Sequence, residues 1–298
     1  MYTHILSEVF ISLEAEFVFS GHTSLYFRFA KCNMKCPLFN NPTNDIHEDG
    51  YATLTFDPKV FARLEDMPLI ESGCDSQYST SQKFQHVWMH YSDEQLADHA
   101  KTLLPGGTWS HPITNMPVIL SLTGGEPTVS WKNIIQILES PLFQDVKHIL
   151  IETNCSVPLK QRFIDAIDKW LSDDISRKWT WSNSPKLSAS GEEWDKSIKP
   201  NVAIAQQQLV DKYPQQVLQY FKFVVNPSIE EFDEMERAMQ EYYKVGIHKD
   251  VLVGAMNAAC TNEQQQATTK DMANMCIQRG RCHIFRQQNA IWGNGVGT

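Results

Sequence analysis

Two cysteines, Cys32 and Cys36, stand four residues apart directly after an apolar and aromatic run at residues 24–29. Such a run predicts a β-strand, so both thiols would lie at the carboxyl end of that strand. Thiolates at this spacing can bind an iron–sulfur cluster or a zinc ion. Taken alone, the pair fits two packed or incidental cysteines equally well.

A second group that could do chemistry is the sequence Thr-Gly-Gly-Glu-Pro at residues 123–127, which follows the apolar run 118–122. Gly124 and Gly125 would let a ligand approach the backbone closely and would leave N–H groups free to bind it. The carboxylate of Glu126 could accept a hydrogen bond from an amine. Taken alone, this pattern favours a tight turn into a helix.

Six short runs rich in β-branched and aromatic residues predict the strands that position these groups. They lie at residues 25–29, 118–122, 148–151, 179–181, 221–225 and 251–253. Helix-like segments separate the runs, which predicts a parallel α/β sheet, either open or curled into a barrel.

Capping-box signatures predict where two of the helices begin. The box at residues 92–95 opens a helix that stops at the Pro-Gly-Gly sequence 105–107, and the box at residues 261–264 opens another that ends near Gly280. Apolar residues at helical spacing predict two more helices at residues 158–171 and 229–243.

The 37 residues between Cys36 and Cys74 interrupt this alternation. The segment 37–73 holds seven acidic residues against two basic ones, a net charge of −5. A loop this long inside a compact domain is usually functional or disordered. We interpret it as an insertion with one short helix at residues 58–64.

The composition is that of an ordinary globular protein and limits the function classes. The chain has 298 residues, a formal charge of −9, 42% apolar residues and neither a long apolar run nor a signal-like start. These features argue against binding to nucleic acid or a membrane, and they predict a cytoplasmic protein with a small-molecule substrate. The odd number of cysteines, seven, makes a disulfide framework a poor interpretation.

Cys-x3-Cys after one strand and Gly-Gly-Glu-Pro after the next resemble the pattern of the radical S-adenosylmethionine (radical SAM) superfamily. The resemblance implies a partial (β/α)6 barrel in which three cysteines bind a [4Fe–4S] cluster. It also implies that the fourth iron is open to S-adenosylmethionine, whose amino group Gly124, Gly125 and Glu126 would bind.

The third cysteine of the usual Cys-x3-Cys-x2-Cys pattern is replaced here by Phe39. Cys74, in the sequence Cys-Asp-Ser-Gln-Tyr at residues 74–78, resembles the end of the cluster loop in 7-carboxy-7-deazaguanine synthases. We therefore predict that the insertion 37–73 separates the second and third cluster ligands, since loop closure grows only slowly in cost with length. Loss of the cluster and a structural zinc site on the three cysteines are the alternatives.

Further blocks resemble the same enzymes in the same order, so we interpret residues 1–298 as a single radical SAM domain. They are Glu8 to Phe17 at the start, residues 151–154, 184–186 and 221–225, and the final block from Trp292 to Thr298. The family's Gln and two Gly are replaced in the first block, which leaves the details of substrate recognition open.

The resemblance implies conversion of 6-carboxy-5,6,7,8-tetrahydropterin to 7-carboxy-7-deazaguanine, with S-adenosylmethionine and Mg²⁺. Besides the cluster ligands Cys32, Cys36 and Cys74, it assigns Ser76 to Mg²⁺ and Gly124, Gly125, Glu126, Ser184 and Lys186 to S-adenosylmethionine. The substrate would be contacted by Leu13, Glu14, Ala15, Glu16, Arg28, Thr123 and Thr298. Arg28 would pair the substrate carboxylate, and Glu14 and Glu16 would approach its guanidine-like edge.

Each role has a simpler alternative. Arg28 could be a surface residue of its strand, Glu14 and Glu16 could lie in a solvated acidic loop, and Ser76 could be an ordinary turn serine. The remaining cysteines are predicted to be packed thiols: Cys155, Cys260, Cys276 and Cys282.

The resemblance also implies a homodimer and a reductant protein such as flavodoxin or ferredoxin. Two other hypotheses remain: a radical SAM enzyme that acts on another small heterocycle, and a binding or regulatory protein that has lost the cluster.

Overall fold

Nine strands form one sheet in the computed structural model, which describes residues 3–258, 262–292 and 297. In chain order they are β1 His4–Leu13, β2 Thr23–Phe29, β3 Met89–Tyr91, β4 Ile119–Gly124, β5 His148–Thr153, β6 Lys178–Asn183, β7 Val217–Val225, β8 Leu252–Asn257 and β9 Cys282–Ile284.

The order across the sheet is β3-β1-β2-β4-β5-β6-β7-β8-β9. β1 is antiparallel to β2 and β3, and every other neighbouring pair is parallel. The six predicted strands are β2 and β4 to β8, so the predicted α/β class and its parallel sheet are confirmed. The described strands leave the sheet open between β3 and β9, as a partial barrel requires.

Nine α-helices accompany the strands in the described residues. They are α1 Gln77–Thr80, α2 Asp93–Leu103, α3 Trp131–Glu139, α4 Gln161–Ser172, α5 Trp194–Ser197, α6 Pro200–Lys212, α7 Ile229–Lys244, α8 Asn262–Arg279 and α9 Gln287–Trp292. Most of the longer helices connect consecutive parallel strands, as in a repeated β–α–β arrangement.

The capping box of α2 is formed as predicted. The backbone N–H of Gln95 donates to the Ser92 hydroxyl at 3.3 Å, and the Ser92 N–H donates to the Gln95 side chain at 2.9 Å. Gly106 then ends the helical region with a left-handed backbone (φ 64°). Thr261, the first residue of the second predicted box, lies outside the described residues.

Side chains of the parallel strands alternate between an apolar face and a polar face, because successive residues of a strand point to opposite sides. Leu122, Ile151 and Trp181 are fully buried in the main core, which helices α2 to α4 complete. A second core packs β7 and β8 against α6, α7 and α8. The opposite face carries polar residues such as Thr123 and Lys222, and it is the face on which a site could form.

The insertion 37–73 contains two short 3-10 turns, Pro58–Val60 and Leu64–Asp66, rather than the single predicted helix at residues 58–64. The prediction was wrong because Phe61 and Arg63 have extended backbones, which interrupt helical hydrogen bonding between the turns. A separate apolar cluster supports the segment: Leu64, Met67, Ile70 and Phe84.

The cysteines predicted to be packed differ in exposure. Cys155 and Cys276 are buried, whereas Cys282 is only partly buried because β9 is an edge strand. Cys260 lies outside the described residues. Across the part of the chain that the structure describes, we find no helix with the length and apolar character that a bilayer crossing needs.

Candidate active site

A cavity of about 220 Å³ opens at the carboxyl ends of the parallel strands. Its wall includes the three cysteines of the predicted cluster, the two glycines at the end of β4, and a group of charged residues. Loops at this end of parallel strands come from several β–α connections, so residues distant in sequence meet there.

Cys32, Cys36 and Cys74 all line this cavity, and all three are free thiols. Burial raises the pKa of Cys32 and of Cys36 to about 12, and burial also raises the pKa of Cys74, to which the neighbouring Cys36 contributes. Neutral thiols in such a site lose their protons when a cation is bound, since the cation replaces the proton as the positive partner.

Cys74 returns to the cluster loop because the insertion closes on itself at its base. The N–H of Gly73 donates to the carbonyl of Phe39 at 2.6 Å, so the chain leaves and re-enters the site at one point. Gly73 has φ 82°, and a Cβ there would lie 2.6 Å from the Cβ of Ala52. Glycine is therefore required at the position that precedes Cys74.

Gly124 and Gly125 allow the turn after β4 to contact the cysteine loop directly. A Cβ on Gly124 would lie 2.2 Å from the carbonyl oxygen of Phe29, and one on Gly125 would lie 2.1 Å from the carbonyl oxygen of Lys31. Both contacts are closer than any side chain tolerates. The two glycines thus form a side-chain-free wall beside Cys32.

Glu126 is fully buried, and it does not line the cavity. One carboxylate oxygen accepts hydrogen bonds from the Thr153 hydroxyl at 2.7 Å and from Thr128, and the other accepts from the N–H of Asn154 at 2.6 Å. The structure therefore shows Glu126 tying the loop after β4 to the loop after β5. Its predicted contact with an amine of a cofactor stays a prediction.

The floor of the cavity is a charged network centred on Lys222. Its ammonium group lies 2.6 Å from a carboxylate oxygen of Glu16 and 2.6 Å from one of Glu152. Although burial opposes ionisation, Lys222 and Arg286 lower the pKa of Glu16 to about 2. Glu152 and Glu16 likewise hold Lys222 in its charged form, with a raised pKa, against the effect of burial.

Glu14 occupies a different environment on the same floor. Only 2% of the residue is exposed, and it accepts hydrogen bonds from the hydroxyls of Tyr26 at 3.1 Å and Ser121 at 2.9 Å. Burial and the charge of Glu152 raise the pKa of Glu14 to about 8. Glu14 is thus mostly protonated at neutral pH, and it does not lie in a solvated loop.

Arg28 lines the cavity with its side chain 18% exposed, which rules out a surface position. Its Nε lies 2.7 Å from the carboxylate of Glu8, and its Nη1 donates to the Ser76 hydroxyl at 3.3 Å. Glu8 in turn accepts from the N–H of Gly297 at 2.8 Å. Thr298, predicted to contact substrate, lies outside the described residues.

The other predicted residues also come together in the cavity wall. Leu13, Ala15, Thr123, Ser184 and Lys186 all line it. The Thr123 hydroxyl donates to Glu152 at 2.6 Å, and the ammonium of Lys186 donates to the Ser184 hydroxyl at 3.2 Å.

Sequence reasoning assigned no role to four charged residues of the wall: Asp75, Glu152, Lys222 and Arg286. A signal existed for Lys222, the lone charged residue in the run 221–225, and for Glu152, which directly follows the run 148–151. Such a residue usually has a buried partner. Arg286 follows the edge strand β9 and has no comparable signal.

A single metal ion would need its thiolates within about 4 Å of one another, since a zinc–sulfur bond is ~2.3 Å long. Over the described residues, no three His, Cys, Asp or Glu side chains form a group that could hold one ion. The geometry of a zinc site on the three cysteines is therefore not present in the described structure.

No family model and no curated protein matches the sequence. Among solved structures, the chain is similar to the crystal structure of QueE from Escherichia coli, with 13% sequence identity and a TM-score of 0.50. The similarity covers 95% of this chain and 93% of that chain, so it includes the sheet and the helices around it. The chain therefore has the fold of this QueE structure, a mixed α/β fold as the sequence predicts.

Proposed function

We propose that this chain is a radical SAM enzyme that converts 6-carboxy-5,6,7,8-tetrahydropterin to 7-carboxy-7-deazaguanine. One observation carries the proposal: Cys74 lies beside Cys32 and Cys36 in one cavity although 37 residues separate it from Cys36. An incidental cysteine at the end of an insertion has no reason to return to the other two.

The residues present fit a three-cysteine [4Fe–4S] cluster and S-adenosylmethionine. Three free thiols line one cavity, and Gly124 and Gly125 bring the backbone after β4 directly against the cysteine loop with no side chain between them. Ser184 and Lys186 complete that side. When bound, these cofactors would supply one-electron chemistry that removes a hydrogen atom from the substrate.

The charged floor would bind and orient the pterin. Glu16, held ionised by Lys222, would accept hydrogen bonds from the amino-pyrimidine edge of the substrate. Glu14, protonated at neutral pH, would donate one hydrogen bond where a carboxylate could only accept. Arg28 would meet the substrate carboxylate through guanidinium nitrogens not held by Glu8.

Ser76 is the proposed contributor to a Mg²⁺ site, because its hydroxyl lines the cavity beside Asp75, and Mg²⁺ prefers oxygen ligands. We also propose a homodimer reduced by a flavodoxin or a ferredoxin, in the cytoplasm.

Anaerobic turnover of 6-carboxy-tetrahydropterin with S-adenosylmethionine, Mg²⁺ and dithionite tests the proposal. We expect product from the reconstituted wild type and from Cys282→Ala, a control outside the cavity, but none from Cys74→Ala. A wild type that carries a cluster but yields no product would favour a different heterocyclic substrate. A wild type that takes up no cluster would favour a cluster-free binding protein.

A further inference from the structure

The loop that joins Cys32 to Cys36 is held from outside by a segment that follows β6. The carboxylate oxygen Oε1 of Glu192 accepts hydrogen bonds from two consecutive backbone N–H groups, those of Lys35 at 2.6 Å and Cys36 at 2.9 Å. Glu192 is 156 residues away in sequence, so this contact is purely a product of the fold.

Two successive N–H groups that converge on one anion form a nest, an arrangement that requires an unusual backbone conformation. Cys36 has φ 47°, in the left-handed region that non-glycine residues rarely adopt because their side chains strain it. A side chain that binds both N–H groups selects this conformation. The Cys36 thiol therefore depends on Glu192 for its direction into the cavity.

Neighbouring contacts fix Glu192 in this position. The N–H of Leu38 donates to the carbonyl of Ser190 at 3.1 Å, and the N–H of Glu192 donates to the Ser190 hydroxyl at 3.1 Å. Lys196 pairs with the second carboxylate oxygen of Glu192, whose side chain is only 5% exposed. A buried carboxylate is thus built into the support of the cysteine loop.

We propose that Glu192 is a positioning residue that holds the Cys36 backbone in its left-handed conformation and lowers the reduction potential of the cluster bound by this loop. The second part rests on the proposed function. Cluster potentials depend on nearby charge and on N–H groups that donate to the sulfurs. Glu192 adds negative charge and occupies two N–H groups, and both effects disfavour the more negative, reduced cluster.

Hydrogen exchange of the cluster-free protein tests the first part independently of any activity. In Glu192→Ala, the amides of Lys35 and Cys36 should exchange about tenfold faster than in wild type, because their acceptor is gone. Glu192→Gln, which retains an acceptor oxygen, should stay close to wild type, as should the neighbouring control Glu193→Gln. If the amides of Lys35 and Cys36 exchange at the same rate in Glu192→Ala and in wild type, the positioning role of Glu192 is overturned.

A redox titration of the reconstituted cluster, followed by electron paramagnetic resonance, tests the second part. At a fixed potential, the ratio of reduced to oxidised cluster should rise about tenfold in Glu192→Gln, equivalent to ~59 mV for one electron, and not in Glu193→Gln. Equal potentials in the loaded wild type and Glu192→Gln would overturn this part. A wild type without a cluster would instead refute the proposed function. The exchange measurement would still test whether Glu192 positions the Cys36 backbone.

Discussion

Replacing Glu14 by glutamine should change the pH dependence of stability in a direction that is unusual for an acidic residue. Burial and the charge of Glu152 raise the pKa of Glu14 to about 8, from an ordinary value of 4.5. The folded protein therefore keeps a proton that the unfolded chain releases. Its stability is fully present below pH 4.5 and falls as the pH rises toward 8.

The size of this loss follows from the interval between the two pKa values. At ~1.4 kcal/mol for each pH unit, the full effect is about 5 kcal/mol, and roughly 3 kcal/mol of it falls between pH 5 and pH 8. Glutamine has the same shape and does not titrate, and its carbonyl still accepts from Tyr26 and Ser121. Glu14→Gln should therefore lack this loss.

Glu16→Gln is the matched comparison, with an effect of opposite sign. The pKa of Glu16 is lowered to about 2 because Lys222 and Arg286 outweigh burial, so its stabilisation is present above pH 4.5 and is lost as the pH falls toward 2. Glu16→Gln should cost about 3 kcal/mol at every pH between 5 and 8.

Urea denaturation followed by circular dichroism, at pH 5, 6, 7 and 8, measures the free energy of unfolding of the three proteins. From pH 5 to pH 8, we expect the free energy of unfolding of Glu14→Gln to rise by roughly 3 kcal/mol relative to that of wild type. If the stabilities of wild type and Glu14→Gln change in parallel from pH 5 to pH 8, the claim that folded Glu14 keeps its proton is refuted.

Three further substitutions test separate contacts by the same denaturation assay. Lys222→Met should cost about 2–4 kcal/mol because it leaves two partly buried carboxylates without their cation, whereas Lys186→Met should cost less than about 1 kcal/mol. Similar costs for the two variants would contradict the charged floor. Gly73→Ala should destabilise the protein by at least about 1 kcal/mol more than Gly21→Ala. Both residues have a positive φ, but only a Cβ added at position 73 would clash with a neighbouring residue. Equal effects would argue against the closed base of the insertion. Ser92→Ala should cost about 1 kcal/mol through loss of the helix cap, and no loss would mean that the α2 capping box contributes nothing.

The parallel part of the sheet could be predicted from the sequence because its apolar face has to be covered by helices. Because these strands are buried under helices, they contain short apolar runs such as residues 149–151, which are typical of buried strands. β1 has a mixed sequence that includes Ser7 and Glu8, and β3 and β9 are only three residues long. Such strands depend on their neighbours in the sheet, so the sequence carries no clear local signal for them.

The same distinction applies to the candidate site. The residue type and spacing of cysteines and paired glycines indicate which ligands they could bind, so Cys32 and Gly125 could be identified from the sequence. The partners of Lys222 could not, because Glu16 is 206 residues away in sequence and only the fold brings the two side chains together. The contact of Glu192 with the cysteine loop could not be predicted either, since 156 residues separate it from Cys36.

Iron and sulfide content after anaerobic reconstitution tests most directly whether Cys74 completes a three-cysteine site with Cys32 and Cys36. We predict about four irons per chain in wild type and in Cys282→Ala, and a large loss in Cys74→Ala. Full iron content in Cys74→Ala, or none in wild type, would contradict the account.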